Sequence, residues 1–145
     1  MKDEICYLED KEIASTSVKK MLSDNYNVSV TDDFRVIADW ISDNPDRFGV
    51  IIMDLKVPSK SLRVLETCKN YDDDLDHSSA LYFIENFLAV HFPQCIEKII
   101  LLSEYLNELS NKGHKKKLEE FKTVYKSDPD VVKVLRSKIN EIIKK

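Results

Sequence analysis

The run Phe48-Gly49-Val50-Ile51-Ile52-Met53 constrains this chain most. It is almost wholly apolar and β-branched in its middle, and it stops at Asp54. A strand apolar on both sides is buried on both faces, as the central strands of a parallel sheet are. Ile99-Ile100-Leu101-Leu102 repeats the pattern and ends in Ser103-Glu104. Ile5-Cys6-Tyr7-Leu8 does the same and ends in Glu9-Asp10. Val28-Ser29-Val30 is a shorter strand, and Phe121 to Tyr125 alternates weakly before Lys126.

Helical patterns fill the gaps between these strands. Ile13, Val18, Met21 and Leu22 form one stripe. Phe34, Ile37, Ala38 and Ile41 form another, with Asp32 or Asp33 placed to cap it. Ser78 or Ser79 can cap a third helix carrying Leu81, Phe83, Ile84, Phe87, Leu88 and Val90, which Pro93 ends. A short helix is expected at Tyr105 to Ser110. Asp128-Pro129 reads as an N-cap and first helical position for a last helix bearing Val131, Val132, Leu135, Ile139, Ile142 and Ile143. Strand and helix thus alternate five times, which predicts an α/β fold. It is a doubly wound, five-stranded parallel sheet, (βα)5, with helices on both faces. Residues 1–145 read as a single domain with one irregular insertion after strand 3, about 59–77. In that insertion Leu62, Val64, Leu65 and Cys68 suit a short helix, and the acidic run Asp72–Asp76 suits a solvated loop.

Composition narrows the function. With 22 basic and 26 acidic residues the net charge is −4, which argues against direct nucleic-acid binding. Two glycines, Gly49 and Gly113, cannot supply a P-loop or a dinucleotide fingerprint. Cys6, Cys68 and Cys95 are odd in number and lack metal spacing, so packing is expected of Cys68 and Cys95. His77, His91 and His114 lack ligand spacing, Trp40 reads as helix packing, and Lys115–Lys117 reads as a solvated face. The Asp72–Asp76 run lacks the spacing and glycine of an EF-hand. No apolar run reaches the roughly 18–20 residues of a membrane span. The acidic start Met1-Lys2-Asp3-Glu4 is unlike a signal peptide. These features lead to the expectation of a soluble, cytoplasmic protein.

Ligands of doubly wound sheets bind outside the carboxyl ends of the strands. Four of the five expected strands deliver Glu9, Asp10, Asp54, Ser103 and Lys126 to that edge. Clustered carboxylates need a cation or protons, and Mg²⁺ takes carboxylate, water and phosphate oxygens. A lysine and a hydroxyl suit a phosphoryl group, and a carboxylate between them can serve as its acceptor.

This ordered set resembles the receiver domain of bacterial two-component response regulators, a CheY-like, flavodoxin-like fold. The likeness spans the chain outside the Ser59–His77 segment. Its separations of 44 residues from Asp10 to Asp54 and 23 from Ser103 to Lys126 are close to the family pattern. The resemblance implies that Asp54 accepts a phosphoryl group from a histidine kinase or phosphotransfer protein. It implies that Asp10, Asp54 and the backbone carbonyl of Lys56 bind Mg²⁺, with Glu9 acting through water. Lys126 would pair with phosphoryl oxygens, and Ser103 would swing toward them. It further implies signalling to a downstream effector protein, allows a homodimer, and involves no membrane. Activity would extend at most to self-phosphorylation and autodephosphorylation. Because the last helix runs to the C-terminus, the chain is expected to act without an attached output domain, or as one piece of a larger regulator.

The chain also departs from the family pattern. Asp54 and Ser103 stand 49 residues apart, farther than in the family, because of the insertion. Ser59-Lys60 replaces the glycine after the proline, Ser127 replaces the proline after the lysine, and Thr123 stands at the aromatic switch position. Lys56 could stabilise phosphoryl charge or compete with the metal. These departures support an alternative, a pseudo-receiver that binds protein partners without phosphotransfer. A phosphatase-type hydrolase would need a second acid two residues after Asp54, where Lys56 stands.

Overall fold

The strongly apolar runs do become the interior of a sheet. The computed structural model describes residues 2–76, 78–104 and 115–144. Its strands are β1 (Asp3–Leu8), β2 (Tyr26–Thr31), β3 (Val50–Asp54), β4 (Ile99–Ser103) and β5 (Lys122–Tyr125). All pair in parallel, in the order β2-β1-β3-β4-β5. Every residue of β3 and β4 is buried, as their unbroken apolarity requires. The register sets Leu8 beside Met53, Asp54 beside Leu102 and Ser103 beside Tyr125. The chain therefore leaves neighbouring strands at one level, where Glu9, Asp54, Ser103 and Lys126 emerge.

Helices cover both faces. The helices are α1 (Glu12–Leu22), α2 (Phe34–Asp43), α3 (Asp73–Asp76), α4 (Ser79–Phe83), α5 (Ala89–His91), α6 (Lys115–Leu118) and α7 (Val131–Ile143). Leu22 of α1 and Leu135 and Ile139 of α7 pack with Tyr7, Val50 and Ile52 on one face. Phe34 and Ile37 of α2, with Phe83 and Leu88, pack with Cys6, Ile51 and Leu101 on the other. Asp33 caps α2, its Oδ1 accepting from the N–H of Arg35 at 2.7 Å and of Val36 at 3.4 Å. Ser78 caps α4 by accepting from the N–H of Leu81 at 3.2 Å.

Several local expectations are corrected. The α1 stripe is narrower than the sequence suggests. Leu22 is buried, but Ile13 and Met21 are exposed, because Ala14, Val18 and Leu22, four residues apart, face the sheet. Asp128 does not cap α7. Its Oδ1 accepts from the N–H of Asp130 at 2.8 Å, a turn that delays the helix to Val131. Between α4 and α5 the helix widens into a π turn over Ile84–Leu88, stacking Phe83 on Phe87 at 5.1 Å between ring centroids. The helix expected at Tyr105 to Ser110, Gly113 and the histidines His77 and His114 lie outside the described residues.

The segment after β3 is not a detached decoration. Leu62, Cys68 and Tyr71 are buried in the same core as α2 and α4. Only Glu66–Cys68 is helical in its first half, as a 3-10 turn, and Val64 is exposed. Part of the acidic run forms a helical turn instead of a plain loop, at Asp73–Asp76. Ser61 Oγ accepts the N–H of Phe34 at 2.9 Å, so the segment satisfies a backbone donor at the start of α2. Ser59 Oγ donates to Asp73 Oδ2 at 3.0 Å, which closes the segment on itself. Among the described residues, no helix is long and apolar enough to cross a membrane.

Candidate functional site

Each side chain of the site stands at, or just beyond, the carboxyl end of a strand. Glu9 follows β1, and its N–H still donates to Thr31 O at 3.0 Å, which holds the chain on course beyond the strand. Asp54 is the last residue of β3. Lys126 follows β5, and its N–H donates to Ser103 O at 3.3 Å. Ser103 ends β4 and is fully buried.

Lys126 reaches into this edge and joins two carboxylates. Its Nζ donates to Asp54 Oδ2 at 3.0 Å and pairs with Glu9 Oε1. All three side chains are largely withdrawn from water, with relative exposures of 10% for Lys126, 3% for Asp54 and 0% for Glu9. Glu9 has three more donors. Tyr7 OH donates to Oε1 at 3.0 Å, and the N–H groups of Asp10 and Lys11 point at Oε2 at 3.1 and 3.4 Å. Asp54 Oδ1 accepts the N–H of Lys56 at 3.3 Å.

The electrostatics follow from this crowding. Burial, then the hydrogen bond and charge of Glu9, push the Asp54 carboxyl from 3.8 up to about 7, against the pull of Lys126. Burial also pushes Glu9 upward, but hydrogen bonds with Asp54, Lys126 and Tyr7 and the Lys126 charge outweigh it, so its carboxyl titrates below the usual value. The two carboxylates are thus pushed in opposite directions, Glu9 toward its charged form and Asp54 toward its neutral form. Burial and the adjacent Glu9 raise Asp10, which is itself exposed. Burial lowers Lys126, but its two carboxylates more than offset this and hold its ammonium above the ordinary lysine range.

Oxygens of Glu9, Asp10 and Asp54 lie within 4.8 Å of one another. An all-oxygen set of three carboxylates fits a hard divalent cation such as Mg²⁺. Such a cation would favour the ionised form of Asp54.

The structure thus brings together Glu9, Asp10, Asp54 and Lys126, with Ser103 at the neighbouring strand end and Lys56 reached through its backbone. Lys11 Nζ meets Glu104 Oε2 at 3.5 Å across the rim. Thr123 lies within β5 opposite Leu101, and Tyr125 is exposed opposite Ser103. Burial pushes up the thiols of Cys6, Cys68 and Cys95, in keeping with packing roles.

Sequence reasoning missed three contributors. Ser79 Oγ donates to Val57 O at 2.7 Å and accepts from Val57 N–H at 3.1 Å, and Ser78 Oγ donates to Leu55 O at 2.7 Å. These serines staple the loop that leaves Asp54, a role hidden behind their capping signature. Tyr7 passed as one more strand residue. Its signal was a polar tip two positions before an acid, on a strand otherwise apolar in its second half.

No family model matches the chain, and no curated protein matches it. Solved structures do match. A response regulator receiver domain protein from Clostridium thermocellum superposes with a TM-score of 0.67 at 17% identity, over 98% of this chain and 94% of that one. The chemotaxis protein CheY4 of Vibrio cholerae gives 0.61 at 15% identity, over 98% and 99%. The signal receiver domain of a putative LuxO repressor protein from Vibrio parahaemolyticus gives 0.62 at 17%, over 99% and 92%. The five-stranded parallel fold is therefore that of CheY-like receiver domains, along nearly the whole chain.

Proposed function

We propose that this chain, folded as a response regulator receiver, accepts a phosphoryl group on Asp54 from the phosphohistidine of a histidine kinase or phosphotransfer protein. An Asp54 carboxylate oxygen forms a bond to phosphorus as the phosphorus–nitrogen bond breaks, and the imidazole leaves. The observation that carries this reading is Lys126 Nζ at 3.0 Å from Asp54 Oδ2, with Glu9 and Asp10 in the same cluster. That pair puts a fixed cation where phosphoryl charge would accumulate, and positioning with charge neutralisation is most of phosphoryl-transfer catalysis.

Asp10, Asp54 and the Lys56 carbonyl would hold Mg²⁺, with Glu9 beside them. When bound, the ion neutralises charge on the phosphoryl oxygens and keeps Asp54 ionised. Lys126 takes the oxygen facing β5. The Ser103 hydroxyl donates to another and draws the loop after β4 toward the site. The Lys56 N–H holds Asp54 Oδ1 in place. The modified surface then binds a downstream effector protein in the cytoplasm. A second copy of the chain is a further partner, as the beryllofluoride-activated NtrC4 receiver structure is described as a dimer.

Treatment with acetyl phosphate and Mg²⁺, followed by Phos-tag electrophoresis, tests the proposal. A retarded band in the native chain and none in Asp54→Asn is expected. No band, or the same band in Asp54→Asn, contradicts it and favours a pseudo-receiver.

A further inference from the structure

We infer that Tyr7 is a positioning residue, whose hydroxyl fixes Glu9 against Lys126 and so withholds Glu9 from the cation that Asp10 and Asp54 would hold. The identity of that cation rests on the receiver reading, but the coupling among Tyr7, Glu9 and Lys126 does not. Tyr7 is fully buried in β1 and donates at 3.0 Å to Glu9 Oε1, the oxygen that also pairs with Lys126. The second oxygen, Oε2, faces the N–H groups of Asp10 and Lys11 at 3.1 and 3.4 Å. A carboxylate offers about four lone-pair directions. Four donors of the chain converge on Glu9.

A carboxylate engaged in this way cannot turn toward a metal without losing a donor. A phenol keeps its proton at neutral pH, so the Tyr7 donor is permanent. The division of labour follows. Glu9 orients Lys126, and Lys126 reaches Asp54 Oδ2 at 3.0 Å, while Asp10 and Asp54 remain for the cation. An apolar residue at position 7 would leave Oε1 to Lys126 alone, and Glu9 could swing toward positive charge.

Tyr7→Phe removes only the hydroxyl. In the metal-free chain, NMR of the Lys126 ammonium should show its protons exchanging with water about three- to ten-fold faster, the change expected for one lost hydrogen bond. Isothermal titration should show Mg²⁺ binding tightened by about three-fold, since Glu9 is released to the metal. Acetyl-phosphate labelling of Asp54 should slow by a similar factor. A purely structural role would weaken both or leave both unchanged. Unchanged ammonium exchange, or Mg²⁺ affinity that stays the same or falls, overturns the inference. Should Tyr7→Phe fail to fold, the Tyr7 hydroxyl proton in Glu9→Gln reads the same coupling. It should shift upfield as its charged acceptor is lost, and an unmoved signal overturns the inference. Failure of the native chain to be phosphorylated would sink the receiver reading and leave the ammonium measurement intact.

Discussion

Lys126 Nζ stands 3.0 Å from Asp54 Oδ2, although 72 residues separate them in sequence. Neither residue makes a site alone. The β3-β4-β5 register brings them to one edge, and Glu9 from β1 completes a buried group of two acids and one base.

That group is the first object of test. Breaking a buried ion pair leaves an uncompensated charge, at a cost of about 3–5 kcal/mol. Lys126→Met should lower unfolding stability by about that amount, measured in urea. Adding Glu9→Gln to Lys126→Met should recover part of the loss, because one stranded charge is then removed. A fully additive double variant would show that the two do not interact.

The site also predicts how stability depends on pH. Asp54 titrates near 3.8 in the unfolded chain and at about 7 in the fold. Between those values the folded state holds a proton that the unfolded chain has released, so stability falls as pH rises through that window. The urea midpoint should therefore decline from about pH 4 to about pH 7, and Asp54→Asn should flatten this decline. Glu9, held below its usual value, acts with the opposite sign, but only in more acid solution. Millimolar Mg²⁺ should also flatten the decline, by favouring ionised Asp54.

The segment after β3 makes a contrast within a few residues. Leu62 is fully buried, whereas Val64 is 62% exposed. Leu62→Ala should cost about 2–5 kcal/mol, as cavities in a packed core do. Val64→Ala should stay within about 0.5 kcal/mol. Equal small effects in thermal or urea unfolding would mean that the segment does not belong to the core.

Ser79 bridges both backbone groups of Val57 from a buried position. Ser79→Ala would strand the Val57 N–H and should cost about 1–3 kcal/mol. Hydrogen exchange at the Val57 amide should accelerate, while amides in the middle of β1 keep their protection.

Much of this was legible in the residues. The unbroken apolar runs of β3 and β4 announced strands buried on both faces, and the acids and lysine at the ends of β1, β3 and β5 marked the edge where the charged cluster forms. Caps at Asp32 or Asp33 and at Ser78 or Ser79 were recognisable, since the side chain needed for capping is local, and the fold uses Asp33 and Ser78. What escaped depended on distant partners. Residues 59–77 look like a polar interruption, because Leu62 and Cys68 find their core contacts only once α2 and α4 are in place. Ile13 looked like part of a buried stripe until the sheet set the rotation of α1. Tyr7 carried only the weak signal of a polar tip two positions before an acid, because the chain's path past Leu8 decides where that carboxylate points. Asp128 promised a cap, yet its turn onto Asp130 competes with one.

The most direct test is a crystal structure of the chain soaked with beryllofluoride and Mg²⁺, which mimics an aspartyl phosphate. The account predicts beryllium on an Asp54 carboxylate oxygen, Lys126 on a fluoride, the ion between Asp10 and Asp54, and Glu9 still held by Tyr7. An Asp54 left unmodified beneath an unchanged Lys126 pair, with no ion among the acids, would contradict it.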